Sequence, residues 1–569
     1  MNRSISILCL IFVFSCLNTD AFSQTVDQVE KTERELEKEK KLLERILRPV
    51  PATEIEEPVT PGKGPSKAPE GQAFLKEINV IGSSFVSEKE INRIIEPYLD
   101  RQVSVAEMEE LAAIITETYR RKGFVTSRAY IPPQKIDQGV LEIRVLEVTT
   151  GNIEIRGNKY FKERIYEQRV GLKTGDPFNY NTLRRGLKAI NELPDRYAKA
   201  VLAPGTDPAT TDVIVNAEDC LPIHVGMEWD NYGTRYVDKD RIRTTLTHNN
   251  LLGFDDACTM QFQTAEGENY TLASLRYLFP VIQDTKIGFF YANSKIDLRQ
   301  EYEEEDLNAR GKTQFFSLYV TQPLYTKENV SLRLNVGFDY KDIFNFQQGL
   351  ETSRDRMRVA KTSLDLDVTD EYGRTIANNE MSWGIKSIMG GLEGRDGRSS
   401  RSGAGGEFFK NVLGLLRLQR LPYDAALLWK NQFQYTTDIL TSAEQFQVGG
   451  IINVRGYPAA EIVGDRGFSS TLELSTPCHL ISKDVKVPYS EAKLYDALRI
   501  IMFYDWGYTR LRRPTATEEN HKTLKAAGCG LRLFLPEDFS IKAEFAWPLD
   551  NTPSDGDHLH AWLAVSKTF

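Results

Sequence analysis

Side chains able to do chemistry are sparse and scattered along this sequence. Six histidines are spread over 569 residues, and only His558 and His560, beside Asp555 and Asp557, approach the spacing of a metal site. A zinc site needs three or four converging ligands, and groups like these on a rim loop more commonly form a hydrated polar edge. No metal, cofactor or catalytic residue is therefore expected. No G-x-x-x-x-G-K-[S/T] loop is present to cradle a phosphate, and no nucleophile–base constellation is visible, so the chain is not read as an enzyme. What remains is charge pairing. The stretch G-G-I-I-N-V-R-G-Y-P, Gly449 to Pro458, places Arg455 inside a glycine-bounded turn. Taken alone, such an arginine is a wetted loop tip, and its role depends on the elements around it.

The net charge of −9 lacks the basic excess that would mark a nucleic-acid partner. Residues 1–23 read as a secretory signal peptide: Arg3, then the apolar run I-S-I-L-C-L-I-F-V-F-S-C-L, then A-F-S before Gln24. V-F-S-C resembles a lipoprotein box, but bulky Phe14 argues against lipidation at Cys16. Cys220, Cys258, Cys478 and Cys529 would remain in the mature chain, widely separated and without metal-ligand spacing, and their disulfide state is open. No later stretch is long and apolar enough for a membrane helix. An exported chain of this kind is either soluble or crosses a membrane as a closed barrel.

Residues 24–48 form a charged helix candidate with a weak apolar stripe, and residues 49–72 form a Pro-rich linker without a core pattern. An internal repeat follows: I-N-V-I-G-S-S-F from Ile78 and I-E-I-R-G-N-K-Y from Ile153 share I-x-[V/I]-x-G-x-x-aromatic. Two helical patterns and two strand candidates follow each copy. The reading is two tandem α+β modules of β-α-α-β-β order, 73–148 and 149–220.

From residue 221 to 569 the period is two. I-H-V-G-M-E-W-D sets Ile223, Val225, Met227 and Trp229 against polar neighbours, and F-S-I-K-A-E-F-A-W sets Phe539, Ile541, Phe545 and Trp547 against Ser540, Lys542 and Glu544. Sixteen strand candidates begin near 223, 241, 256, 270, 284, 311, 328, 357, 378, 405, 424, 468, 497, 524, 538 and 559. Short turns at 324–329, 421–424 and 536–538 alternate with long polar loops: the acidic stretch after Ile296, the region around Phe346, the Gly-rich run after Gly390, and 438–467. Connection 478–496 is the one long exception on the short side. Sorting of this kind favours a membrane β-barrel of 16 antiparallel strands over a sandwich. In L-R-I-I-M-F-Y-D-W-G the apolar positions Ile500, Met502, Tyr504 and Trp506 face lipid, which turns Asp505 to the lumen. The chain ends on Phe569 in an alternating strand, where Lys567 would snorkel to the interface.

Several motifs together resemble the two-partner secretion transporters of the haemolysin secretion/activation type, within the wider superfamily of outer-membrane assembly proteins with POTRA (polypeptide-transport-associated) domains. R-A-Y-I-P-P-Q-K-I-D-Q-G-V-L-E-I-R-V-L-E, Arg128 to Glu147, is similar to the end of the family's first POTRA domain. D-N-Y-G-T, Asp230 to Thr234, resembles the end of its first barrel strand, E-Q-F-Q-V-G-G-I-I-N-V-R-G-Y its sixth extracellular loop, and F-Y-D-W-G, Phe503 to Gly507, its F-x-D-x-G strand. The resemblance implies that loop 438–467 folds into the lumen. There Arg455 of Val454-Arg455-Gly456-Tyr457 would meet Asp505 of the Phe503, Asp505, Gly507 motif. It further implies an outer-membrane protein with periplasmic POTRA domains that bind an unfolded exoprotein, of the large β-helical adhesin or haemolysin type, for export. Outer-membrane lipid and the outer-membrane assembly machinery would be its other partners, and helix 24–48 would plug the pore. The rival reading is an outer-membrane protein assembly or insertion factor using the same arginine.

Overall fold

The computed structural model describes Lys31, residues 54–56 and residues 71–569, apart from 137, 194, 235, 266, 268, 283–284, 299–307, 328, 488–491, 516–517 and 536–537. The expected signal peptide, the helix 24–48 other than Lys31, and most of the Pro-rich linker lie outside the described residues. Pro49–Pro222 forms one unit, and a second unit contains Ile223–Phe569.

In the first module, Glu77–Ile81 pairs in parallel with Val140–Leu146, which also pairs antiparallel with Arg128–Tyr130. Helices Glu88–Ile95 and Val105–Arg121 cover this sheet. The longer helix starts where Ser104 and Glu107 cap each other's backbone N–H. Its buried residues Met108, Leu111, Ala112, Ile115 and Tyr119 recur at helical spacing, so one stripe meets Leu141 and Ile143 of the sheet. The second module repeats the plan with strands Thr149–Arg156, Arg196–Pro204 and Thr210–Asp219 and helices Glu163–Val170 and Tyr180–Asn191.

The sequence repeat has a physical cause. Gly82 and Gly157 each end the first strand at positive φ, and a Cβ there would lie 2.7 and 2.4 Å from the carbonyl oxygens of Val145 and Ala217. The turn that follows is then capped by a carboxylate at the end of the last strand. Glu147 accepts from the N–H groups of Ser84 and Phe85 at 2.6 Å and from the Tyr119 hydroxyl at 2.6 Å. Asp219 accepts from the N–H groups of Lys159, Tyr160 and Phe161 and from the Tyr166 hydroxyl.

The linker departs from its expected lack of structure at Ile55–Glu56 and at its last residue, Gln72. Ile55–Glu56 adds a short parallel strand to Arg196–Pro204, with Ile55 packed on the second module's core. Gln72–Leu75 pairs with Arg101–Ser104. Ile55 is the branched aliphatic residue in P-A-T-E-I-E-E-P, and an open sheet edge is a ready template for an extended segment.

Sixteen antiparallel strands close into a barrel, from Ile223–Asp230 to His560–Thr568. The seam pairs Gly226–Asp230 with Thr568–Ala564. Alternation sorts the side chains as expected. Met227, Trp229, Met502, Tyr504 and Trp506 are exposed on the outer wall, whereas Asp505, Glu473 and Glu544 are buried inside. Lys567 lies with its Nζ 5.5 Å from the Phe569 ring centroid. At the rim where the chain enters the barrel, connections include 327–329, 371–372 and 536–538, while 385–407 and 437–465 lie at the other. Connection 478–497 is long on the short side, as the sequence pattern indicated.

Two expectations need correction. The region around Phe346 is not a loop. Strands Val330–Gln347 and Leu350–Asp370 run on to a turn at 348–349, Phe346 pairing with Glu351. Polar residues there read as a loop, but ladder pairing satisfies their backbone beyond the membrane span as well as within it. The inward loop is 437–465 rather than 438–467, because Arg466 and Gly467 already pair with Arg510 and Thr509.

Candidate functional site

Loop 437–465 leaves the rim between strands Ala426–Thr436 and Arg466–Pro477 and reaches the inner wall. Its tip is a tight turn: the Asn453 Oδ1 accepts from the N–H of Gly449 and of Val454, both at 2.8 Å, and Gly450 donates to the Tyr457 carbonyl at 2.9 Å. Val454 and Tyr457 are fully buried with Phe446, Val448, Ile462, Leu524 and Ala526. These apolar residues anchor the turn, leaving the guanidinium between them aimed at the wall.

Arg455 meets Asp505 through two parallel hydrogen bonds, Nε to Oδ2 and Nη2 to Oδ1, each 2.9 Å, and its backbone N–H adds a third at 3.2 Å. The fork geometry fixes direction as well as distance. Beneath it, the guanidinium carbon sits 3.3 Å from the centroid of the Phe503 ring, a cation–π floor within a desolvated site. Gly507 completes the strand motif by leaving room: a Cβ there would lie 2.2 Å from Val448 Cγ1. Gly456 rests against Ala526 and Pro548. The structure therefore brings together every residue of the two motifs.

Sequence reasoning missed the rest of this site. The Arg455 Nη1 also donates to Glu473 at 2.8 Å and to Glu544 at 2.9 Å. Arg532 bridges the same two glutamates, at 2.6 Å to Glu473 Oε1 and 2.6 Å to Glu544 Oε1. The lock is a five-residue cluster of two arginines and three carboxylates. Trp562 donates its indole N–H to the Arg455 carbonyl at 2.8 Å. Strand parity put Glu544 on the polar face, yet only the relative register of three strands makes Glu473, Asp505 and Glu544 converge.

The neck of the loop is held separately and with the opposite sign. Buried Glu444 pairs with Lys341 at 2.6 Å and with Lys410. Asp465 accepts from Arg401 at 2.5 Å and from the N–H groups of Leu440 and Arg512. The Gln434 amide reaches the carbonyls of both Glu444 and Asp465 at 3.0 Å, joining the two legs. The loop thus offers a cation at its tip to an acidic wall and anions at its neck to basic partners.

Of the histidine pair, His560 opens the last strand and contacts Asp555 at 3.0 Å, with Asp557 near enough for the three to group. His558 does not belong to that group, and it precedes the strand, which begins at His560. His560 stacks on Trp562, so it buttresses the residue that holds the Arg455 carbonyl. Cys220, Cys258, Cys478 and Cys529 are free thiols.

Residues 209–533 match the family described as haemolysin secretion/activation protein ShlB/FhaC/HecB, residues 74–147 the ShlB-type POTRA domain, and residues 148–200 a POTRA-type model described as surface antigen variable number repeat. The heme/hemopexin transporter protein HuxB of Haemophilus influenzae is 22% identical over 494 residues, 84% of each chain. The outer membrane transporter CdiB of Escherichia coli O6:K15:H31 is 24% identical over 481 residues, 81% of this chain and 79% of that one. In fold, the chain is similar to the solved structure of CdiB from Escherichia coli, with a TM-score of 0.76 at 19% identity, covering 96% of this chain and 99% of the other. BamA from Haemophilus ducreyi, lacking POTRA domains 1–3, shares the fold more distantly, with a TM-score of 0.53 at 13% identity, covering 87% of this chain and all of that one. Two POTRA domains, a sixteen-stranded barrel and the family match over most of that barrel lead to one conclusion: this chain belongs to the haemolysin secretion/activation protein family and is an outer-membrane two-partner secretion transporter, with its POTRA domains in the periplasm.

Proposed function

We propose that this transporter takes an unfolded exoprotein of the large β-helical adhesin or haemolysin type from the periplasm and passes it through its barrel. The POTRA domains (73–148 and 149–220) would receive the client by offering strand edges. Residues 1–23 would direct export, helix 24–48 would plug the resting pore, and Phe569 would present the closing strand to the outer-membrane assembly machinery. The client's folding outside would supply the drive, since the sequence carries no G-x-x-x-x-G-K-[S/T] loop to hold a nucleotide.

The observation that carries this reading is the Arg455 cluster: a loop pinned inside the lumen by buried charges blocks or shapes the pore, and a conduit needs such an element to be held in one place. Deleting the chain in its host and comparing secreted proteins tests the reading. Loss of one large exoprotein supports it, whereas an unchanged set of secreted proteins refutes it.

A further inference from the structure

We propose that the outer edge of Arg196–Pro204 in the second POTRA domain docks one short extended segment of the exported client, and that the chain's own residues 54–56 occupy this edge at rest. The proposal rests on the reading of the chain as an exporter of unfolded protein, and it names which edge does the receiving and what it must first give up.

One side of Arg196–Pro204 is fully used, paired antiparallel with Thr210–Asp219 along its whole length. On its other side, Ile55 and Glu56 pair in parallel with Ala200 and Val201, and Ala200 donates its N–H to the Glu54 carbonyl at 3.2 Å. Backbone groups alternate along a strand, so Ala198, Ala200, Leu202 and Pro204 turn to this outer edge. Both ends of it are closed. The buried Asn191 side chain stands in for a partner strand at Ala198, accepting its N–H at 2.7 Å and donating to its carbonyl at 3.0 Å. Pro204 has no N–H to offer. What is left is a window at Ala200–Leu202, and the chain fills it with I-E.

The occupant shows what the window reads. Ile55 packs on the core cluster that includes Ala200 and Leu202, while Glu56 is exposed. A client segment would need an extended backbone, an aliphatic residue in the place of Ile55 and any polar residue after it, a pattern frequent in β-forming chains. A window this short binds weakly, which suits a carrier that must release its cargo. It also binds its own segment by tethering, at an effective concentration that a free peptide cannot match. Client docking would therefore displace residues 54–56 from this edge.

The test uses the full-length chain in detergent and a fluorescent synthetic peptide, Val50 to Thr60 of this sequence. An Ile55→Asp chain, whose edge is vacated, should bind the peptide at least tenfold more tightly than the wild-type chain, and a peptide carrying Ile55→Asp should not bind. Failure of the Ile55→Asp chain to bind the peptide overturns the docking edge. In the host, Glu56→Cys with Val201→Cys would staple the segment in place across Cα partners. The crosslinked double variant should lower secretion to the level of a deletion strain while each single variant secretes normally. A verified crosslink with wild-type secretion overturns the displacement step. If the deletion strain itself secretes normally, the transporter reading fails, and the peptide measurement still judges the edge.

Discussion

Replacing Arg455 by alanine removes one of two cations from a buried cluster holding three carboxylates. Asp505 loses its bidentate partner and the cation that holds it in place. Glu473 and Glu544 keep only Arg532 between them. Breaking a buried ion pair from one side costs about 3–5 kcal/mol, most of it the uncompensated charge left behind. At 1.4 kcal/mol per tenfold, the seated tip loses roughly 10²- to 10⁴-fold in population relative to a released one. Two companion variants sort the causes. Arg455→Lys keeps the charge but loses the planar fork, and should cost less than Arg455→Ala while still lowering the midpoint. Glu473→Gln in the Arg455→Ala background removes one of the three carboxylates that would otherwise share the single remaining cation, Arg532, and should restore part of the loss. The assays are the thermal midpoint of the folded barrel in detergent, read by heat-dependent gel mobility, and secretion of the client. Arg455→Ala should lower both while leaving an inserted barrel, with Asp505→Ala alike. An unchanged midpoint with full secretion in Arg455→Ala, or a further loss on adding Glu473→Gln, would refute the charge argument.

At the neck, Glu444→Gln removes the carboxylate charge that Lys341 and Lys410 share, Lys341 keeping Asp339 at 3.7 Å, and a cost of about 2–4 kcal/mol is expected, seen as faster proteolysis of loop 437–465 while Arg455 stays in place. Gly507→Ala pushes a methyl into Val448; overpacking of about 1–3 kcal/mol should displace the tip, and a pore conductance equal to wild type would contradict this. In the first POTRA domain, burial alone would raise the Glu147 carboxyl, but hydrogen bonds from the Ser84 and Tyr119 hydroxyls and the N–H groups of Phe85 and Ser84 hold it below the usual carboxylate range. A carboxyl lowered by folding stabilises above its unfolded value, near 4.3, and that contribution fades as pH falls through the folded value. Unfolding of this domain, followed by hydrogen exchange, should therefore become easier in acid, and Glu147→Gln should flatten that dependence.

Much of this architecture was legible without a structure because it is written in periods. Outward residues such as Met227, Trp229, Met502 and Tyr504 alternate with inward ones along each strand, so parity alone sent Asp505 to the lumen. The repeat at Ile78 and Ile153 was visible because both copies need a glycine where the last strand's carbonyl comes close. The region around Phe346 failed because polar composition mimics a loop wherever strands outrun the membrane.

What the linear sequence determined was the face each side chain occupies and the pairing of two short motifs by resemblance. Only the tertiary structure decided who stands next to whom. Glu473, Asp505 and Glu544 lie on three different strands, and their convergence on Arg455 depends on barrel register, which a period of two leaves free. Glu444 meets Lys341 and Lys410 across 103 and 34 residues of chain, and Asn191, close by in sequence, and Ile55, far from it, meet the same strand edge. Such contacts depend on closure and packing, which no local pattern encodes, and they turn a loop with one notable arginine into an element clamped at both ends.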